Sequence, residues 1–491
     1  MRTGIRRTTA AATAGLLLLT GAVPPAASAQ PSSAQPPSSA QPPSSTSAAA
    51  PTSSTGSAPR SNSEPPPLPP GTAPPRDSGQ PDVTYVRTNK ECVASDTKNE
   101  LIEEMPWGQL SLNLEEAHRF ATGKNVVIAI IDTGVDPRNP RLAGRVDPGG
   151  DYVDKSKNGT DDCDGHGTEV AGVAAAKKTE GDFVGAAPDA RILAIRQTSD
   201  RYEFKGDATN EPRKGAGKVK TLAEAIVRAA DKGAGVINIS LTNCGSPKGF
   251  SPDDLALQAA IRYAVDVQDA LVVTAAGNRD DAGNGCPAQN DNMDPNNVKV
   301  ISSPAWFADD VLSVASIARS GAVSDFSVWG PWVGIAAPGE EIISVDPKGD
   351  GLTNANVTAQ GTSDIKGTSF ASPYVAGIAA LVRERFPKLK ARDVMARLKA
   401  TALQPGNVTG KDHKTGHGMV NPVAALTAVL PSEAPGFKAP QPEVMVTSPT
   451  PPKSLDWPPI IVALSGIGVG AVLLALTLFV RNSNRKRGSP A

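Results

Sequence analysis

Short apolar runs separated by helical stretches constrain this chain more than any other feature. Val126-Val127-Ile128-Ala129-Ile130-Ile131 is apolar without interruption and ends in Asp132. A run apolar on both faces suits a central strand of a parallel sheet. Strands are likewise expected at Arg191–Arg196, Val236–Leu241 and Ala270–Ala275, with helices at Leu222–Ala230 and Leu255–Val267 between them. This alternation predicts an α/β fold with a central parallel sheet and helices on both faces. Chemistry in such sheets gathers beyond the carboxyl ends of the strands. Asp132 and Asn278 both follow predicted strands there.

A second stretch points to the kind of chemistry. Gly367-Thr368-Ser369-Phe370-Ala371-Ser372-Pro373 opens an apolar run, Tyr374–Val382, that reads as a buried helix. The first N–H groups of a helix have no intrahelical partner, and the dipole there favours negative charge. An attacked carbonyl needs that environment as it becomes an oxyanion. Gly-Thr-Ser also makes ordinary helix caps, so the stretch requires a base and an orienting acid elsewhere. The chain has four histidines, His118, His166, His413 and His417. His166 lies between glycines, in Asp164-Gly165-His166-Gly167-Thr168, ahead of a helix-like run, and the other three read as structural. A carboxylate at Asp132 can fix one imidazole nitrogen while the other takes a proton from Ser369. Asp132-Thr133-Gly134 would suit an aspartic protease only with a second such carboxylate, and the sequence has none in like context. Asn278, in Ala275-Ala276-Gly277-Asn278, reads alone as a turn residue; beside the other three motifs it supplies an oxyanion donor.

The ends of the chain differ from its middle. Net charge is −1, so bulk electrostatics do not point to nucleic acid. Residues 1–29 carry early arginines, a short apolar stretch and Ala27-Ser28-Ala29, the pattern of a secretory signal. Residues 30–82 are rich in Pro, Ser and Ala and are expected to be a disordered or extended tether, leaving little room for a folded inhibitory prodomain. Residues 83–123 read as an arm on the main domain at 124–430, and 431–459 as a proline-rich spacer. Residues 460–480 are apolar and uncharged; at ~1.5 Å per residue they span roughly 31 Å, about one bilayer core. Arg481, Arg485, Lys486 and Arg487 in the tail 481–491 place that tail in the cytoplasm and the bulk of the chain outside. Residues 197–220 and 279–297 are polar insertions, read as mobile loops or as walls of a substrate groove or partner surface. No calcium motif matches the second, and neither a metal nor a cofactor is expected. Cys92, Cys163, Cys244 and Cys286 favour two disulfides in an exported chain, with three possible pairings.

The order Asp, His, Asn, Ser within Asp-Thr-Gly, Gly-His-Gly-Thr, Ala-Gly-Asn and Gly-Thr-Ser-Phe-Ala-Ser-Pro resembles the subtilisin-type serine proteases. The whole layout is similar to the mycosins, membrane-anchored subtilases of type VII secretion. The resemblance implies a subtilisin-like three-layer fold, with Ser369 as nucleophile, His166 as base and then acid, Asp132 as its orienter and Asn278 at the oxyanion. It implies substrate contacts at Ser240, Leu241, Thr242, Ala276 and Gly277, protein or peptide substrates, and association with the type VII membrane complex. A chiefly structural role in that complex is the alternative. Many subtilisins carry two glycines after the strand ending at Leu241, where this chain has Thr242 and Asn243; restricted specificity is expected. If the strands before Cys244 and Cys286 are parallel neighbours, those two pair and leave Cys92 to Cys163. The mycosin resemblance implies the same pairing.

Overall fold

The computed structural model describes residues 63–96, 105–204, 215–247, 250–280, 285–291, 294, 297–358, 361–406, 410–434 and 457–486. The expected signal segment and most of the proline-rich spacer lie outside them. The centre is a seven-stranded parallel sheet: β1 Val127–Asp132, β2 Val146–Asp151, β3 Arg191–Arg196, β4 Val236–Ile239, β5 Leu271–Ala275, β6 Leu312–Ile317 and β7 Ile335–Pro338. Their order across the sheet is β7-β6-β5-β4-β1-β3-β2. Ile128 to Ile131 of β1 are fully buried, as a central strand covered on both faces requires. The fold is the three-layer α/β arrangement that the apolar runs predict.

The helices that matter for function are α1 His166–Ala175, α2 Val219–Asp231, α3 Pro252–Arg262 and α4 Thr368–Arg385. Helices α1 and α4 pack against each other. A Cβ on Gly377 of α4 would lie 2.5 Å from the Ala186 Cβ and 2.7 Å from the Ala174 carbonyl oxygen, so only glycine permits this approach. The far end of α4 is anchored by Glu384. Its Oε2 accepts the backbone N–H groups of Thr122, Gly123 and Lys124 at 2.7, 2.6 and 3.0 Å, just ahead of β1.

Several expectations are revised. Residues 63–82, the last part of the segment expected to be a disordered or extended tether, lie on the domain. Trp306 Nε1 donates to the Ser63 carbonyl at 2.9 Å and Gln258 Nε2 to the Pro66 carbonyl at 3.1 Å. Asp77 pairs with Arg228 at 2.8 Å and accepts the Tyr152 hydroxyl at 2.6 Å. Proline lacks an N–H but keeps its carbonyl, so such a segment docks as an acceptor. The polar insertion 197–220 contains the strand Ser199–Phe204, which pairs antiparallel with Tyr85–Arg87 of the arm, and α2 begins inside it. The arm also contributes Ala94–Asp96 to a small sheet with Ala355–Thr358 and Gly361–Asp364. The helix expected over 255–267 is α3 followed by one wider turn, Tyr263–Val267. Near the C-terminus a helix, α5, runs Trp457–Lys486, and Gly466–Asn484 within it is long and apolar enough to cross a membrane.

Arg196, at the end of β3, is fully buried. Its Nε donates to Asp151 Oδ2 at 2.7 Å, and its guanidinium lies over the Tyr202 ring at 5.3 Å. Breaking a buried pair leaves an uncompensated charge. Arg196→Met is therefore expected to destabilise the domain by about 3–5 kcal/mol, measured by denaturant unfolding.

Candidate active site

The carboxyl ends of β1 and β5 and the N-termini of α1 and α4 meet at one edge of the sheet. Asp132 closes β1 and is fully buried. Its Oδ1 accepts the Thr133 N–H at 2.7 Å and lies 2.7 Å from His166 Nδ1. His166 is the first residue of α1. The turn before it is set by Asp162, which the sequence reading missed. Asp162 accepts Gly165 N–H at 2.8 Å, Thr168 N–H at 2.9 Å, the Thr168 hydroxyl at 2.6 Å and the Thr133 hydroxyl at 2.9 Å. It satisfies helix N–H groups that a cap residue would otherwise take. An acidic residue one turn ahead of the helix was the available signal. Burial raises the Asp162 carboxyl to about 6, against those hydrogen bonds.

Burial disfavours the His166 cation, but the charge and hydrogen bond of Asp132, joined by Glu169 and Asp162, outweigh it; the imidazole is raised above its ordinary value. The ring packs edge-on to Phe370, the residue after Ser369, at 5.2 Å between centroids. His118 instead hydrogen-bonds the Ala186 carbonyl at 3.0 Å, and burial lowers it.

Ser369 sits in the first turn of α4, whose Pro373 stands inside the helix. Proline has no N–H, so the Ser369 carbonyl loses its i+4 donor. The Ser240 hydroxyl replaces it, donating to the Ser369 carbonyl at 2.8 Å. Ser240 in turn accepts Asn238 Nδ2 at 2.9 Å and lies 3.0 Å from the Ser372 hydroxyl. Among the expected substrate-contact residues, the Ser240 side chain is thus engaged beneath Ser369. Leu241 is half-buried and Thr242 exposed after β4, while Ala276 and Gly277 are buried after β5.

Asn278 is oriented by the residue before the serine. Its Oδ1 accepts both the backbone N–H and the hydroxyl of Thr368, each at 2.9 Å, and the Thr368 hydroxyl accepts the Gly277 N–H at 3.2 Å. That leaves Nδ2 turned toward Gly367. A Cβ built on Gly367 would lie 3.2 Å from Asn278 Nδ2, 3.6 Å from the Ser369 nitrogen and 3.7 Å from the Ser369 hydroxyl oxygen. Gly367 also has φ +150°, which favours glycine. The missing side chain of Gly367 thus keeps the approach to the amide and the serine open. The Asn278 segment is closed by a disulfide, Cys244–Cys286, with Cys286 N–H donating to the Asn278 carbonyl at 2.7 Å. Strands β4 and β5 are parallel neighbours, and Cys92 pairs with Cys163 as expected. Among the described residues, no group of three or more His, Cys, Asp or Glu is placed to hold a metal.

Residues 123–418 match the model of the subtilase family. Mycosin-1 of Mycobacterium tuberculosis is 43% identical over 387 residues, covering 76% of this chain and 84% of that protein. The chain belongs to the mycosins, within the subtilase family. It is a subtilisin-like serine protease. The structure of the serine protease MycP1, an essential component of the type VII (ESX-1) secretion system, is 41% identical with a TM-score of 0.68; the match covers 74% of this chain and 99% of that one. A chain of the intact ESX-5 inner membrane complex is 36% identical with a TM-score of 0.69, over 86% of this chain and 100% of that one. The mycosin motifs thus rest on a matching fold.

Gly367→Ala places a methyl group 3.2 Å from Asn278 Nδ2 and strains the backbone. It is expected to lower peptide hydrolysis at least ~100-fold, the scale of an oxyanion contact, with the circular dichroism spectrum unchanged.

Proposed function

We propose that Ser369 attacks the scissile carbonyl of exported proteins, with His166 as base and then acid and Asp132 fixing its tautomer. The observation that carries this reading is that Asn278 Nδ2, the Ser369 N–H and the Ser369 hydroxyl all lie on the side of Gly367 that carries no side chain. A carbonyl oxygen seated between the Asn278 amide and the Ser369 N–H becomes an oxyanion between two donors as Ser369 Oγ bonds to the carbon. The Ser369 proton moves to His166 Nε2 and then to the leaving amine, which departs. Water repeats the sequence to release the acyl group. Asp132 holds Nδ1–H throughout and stabilises the imidazolium without taking the proton. Thr368 is a positioning residue, since its two donors aim the Asn278 amide.

The exposed side chains of Thr242 and Asn243 support a narrow primary pocket and restricted specificity. Helix α5, whose apolar stretch is followed by Arg481, Arg485, Lys486 and Arg487, supports a single membrane crossing with the catalytic domain outside and the tail in the cytoplasm. The likeness to a chain of the ESX-5 inner membrane complex supports type VII substrates and association with that channel. The same likeness favours a second reading, a structural contribution to the complex with proteolysis secondary. Comparing exported proteins from Ser369→Ala and deletion strains separates the two. Loss of specific cleavage products in both supports the protease; secretion that survives Ser369→Ala and fails on deletion supports the scaffold.

Asn278→Ala is expected to lower kcat with KM little changed; in subtilisin, a member of the same family, such a loss costs ~10²–10³-fold. The raised His166 places the acid limb of kcat/KM above the ordinary imidazole value near 6.5. Below that limb the ring is protonated and cannot accept the Ser369 proton, so the rate falls as pH falls. A pH series of initial rates reads the midpoint.

A further inference from the structure

Glu169 lies one turn beyond His166 on α1 and is fully buried, yet the mechanism does not use it. Its Oε2 accepts one long hydrogen bond, 3.4 Å from Asn356 Nδ2, and its Oε1 has no partner. Asn356 belongs to the strand Ala355–Thr358, and its Oδ1 is likewise buried without a partner. Each orphan is an oxygen on the carbon that already carries the bonded atom of the pair. Two acceptors cannot satisfy each other unless one carries a proton.

We propose that Glu169 is a neutral carboxylic acid whose O–H donates to Asn356 Oδ1 while Asn356 Nδ2–H donates back to Oε2, a two-bond clamp between α1 and the hairpin. The clamp satisfies both orphans at once. It makes Glu169 a positioning residue for His166. It also ties α1 to the hairpin formed with Gly361–Asp364, whose second strand runs directly into Lys366, Gly367 and Ser369. The Glu169 backbone is held from another side by the Ser344 hydroxyl, which donates to its carbonyl at 2.5 Å.

The charged groups acting on Glu169 are His166 on its own helix, Asp162 in the preceding turn and Asp132 at the end of β1. Burial raises the carboxyl to about 8; the His166 cation and the Asn356 bond oppose that shift, and the two aspartates reinforce it. A buried acid kept neutral at pH 7 by its site is a known device for placing a donor. A carboxyl raised on folding binds its proton more tightly in the folded than in the unfolded chain. Its contribution to stability is complete below the ordinary glutamate value of 4.5 and falls as pH rises to about 8. Glutamine keeps a donor and has no such loss.

The inference extends the reading of Ser369 and His166 as the catalytic pair, and its test has readouts outside catalysis. Wild type, Glu169→Gln and Glu169→Ala are purified as full chains in detergent micelles. The infrared spectrum at pH 7 is expected to show a protonated-carboxyl C=O band in wild type that Glu169→Gln lacks and that fades above pH 8. The melting temperature of Glu169→Gln is expected to exceed that of wild type by a margin that grows from pH 5 to pH 8. Labelling by phenylmethanesulfonyl fluoride probes the site. Glu169→Gln is expected to match wild type at pH 7 and to keep its rate above pH 8, where wild type slows. Glu169→Ala is expected to label at least ~10-fold more slowly, about the value of one lost hydrogen bond. Absence of the band, or a Glu169→Gln labelling rate that falls with pH as the wild type does, overturns the clamp. No labelling of Ser369 in wild type at any pH would overturn the catalytic reading instead, and the infrared and melting arms would still decide the clamp.

Discussion

The helices bearing His166 and Ser369 meet only because residue 377 has no side chain. A methyl group there would collide with Ala186 and with the Ala174 carbonyl. The separation of α1 and α4 is therefore set by backbone contact, well behind the reacting atoms. Everything at the sheet edge follows from that spacing. Close-packed interiors transmit such constraints with little loss. Each helix is also fixed along its length: α1 by Asp162 at its mouth, α4 by Glu384 at its far end. The nucleophile is left with side-chain rotation as its main freedom.

Three carboxyl groups surround one imidazole, and their surroundings give each a different state. Asp132 lies 2.7 Å from Nδ1 of the ring. Asp162 accepts hydrogen bonds from backbone and hydroxyl donors. Glu169 has one weak donor. Three buried anions together would be costly, since burial penalises charge that lacks a partner. The arrangement is tolerable because donors are distributed unequally. Local wiring thus decides which acid serves the ring and which serve the scaffold.

Much of this was legible in the sequence, for a physical reason. A strand buried on both faces has to be apolar throughout, so Val127–Ile131 and Leu271–Ala275 announce themselves. The site motifs are legible because strand ends and helix mouths need glycine and small polar residues at fixed offsets. The cysteine pairing followed from sheet order. What stayed hidden depends on distant partners. Ser199–Phe204 reads as polar loop because its pairing is with Tyr85–Arg87, across more than a hundred residues of chain. Residues 63–82 read as tether because their carbonyls find donors on Trp306 and Gln258, which composition does not reveal. Nothing in the sequence shows that the donor Pro373 lacks is replaced by the Ser240 hydroxyl, 129 residues earlier than Ser369.

The segment at 63–82 has a kinetic consequence. Its bonds to Trp306, Gln258 and Glu224 close over 243, 192 and 146 residues of chain. Contacts of such high order form late, since the intervening chain must be ordered first. Without that segment the aromatic surface around Trp306 is uncovered, just as the strand Ala355–Thr358 without the arm lacks its Ala94–Asp96 neighbour. An uncovered apolar face and an open strand edge invite aggregation. The finished domain therefore owes the cover over Trp306 to a segment whose own sequence carries almost nothing apolar.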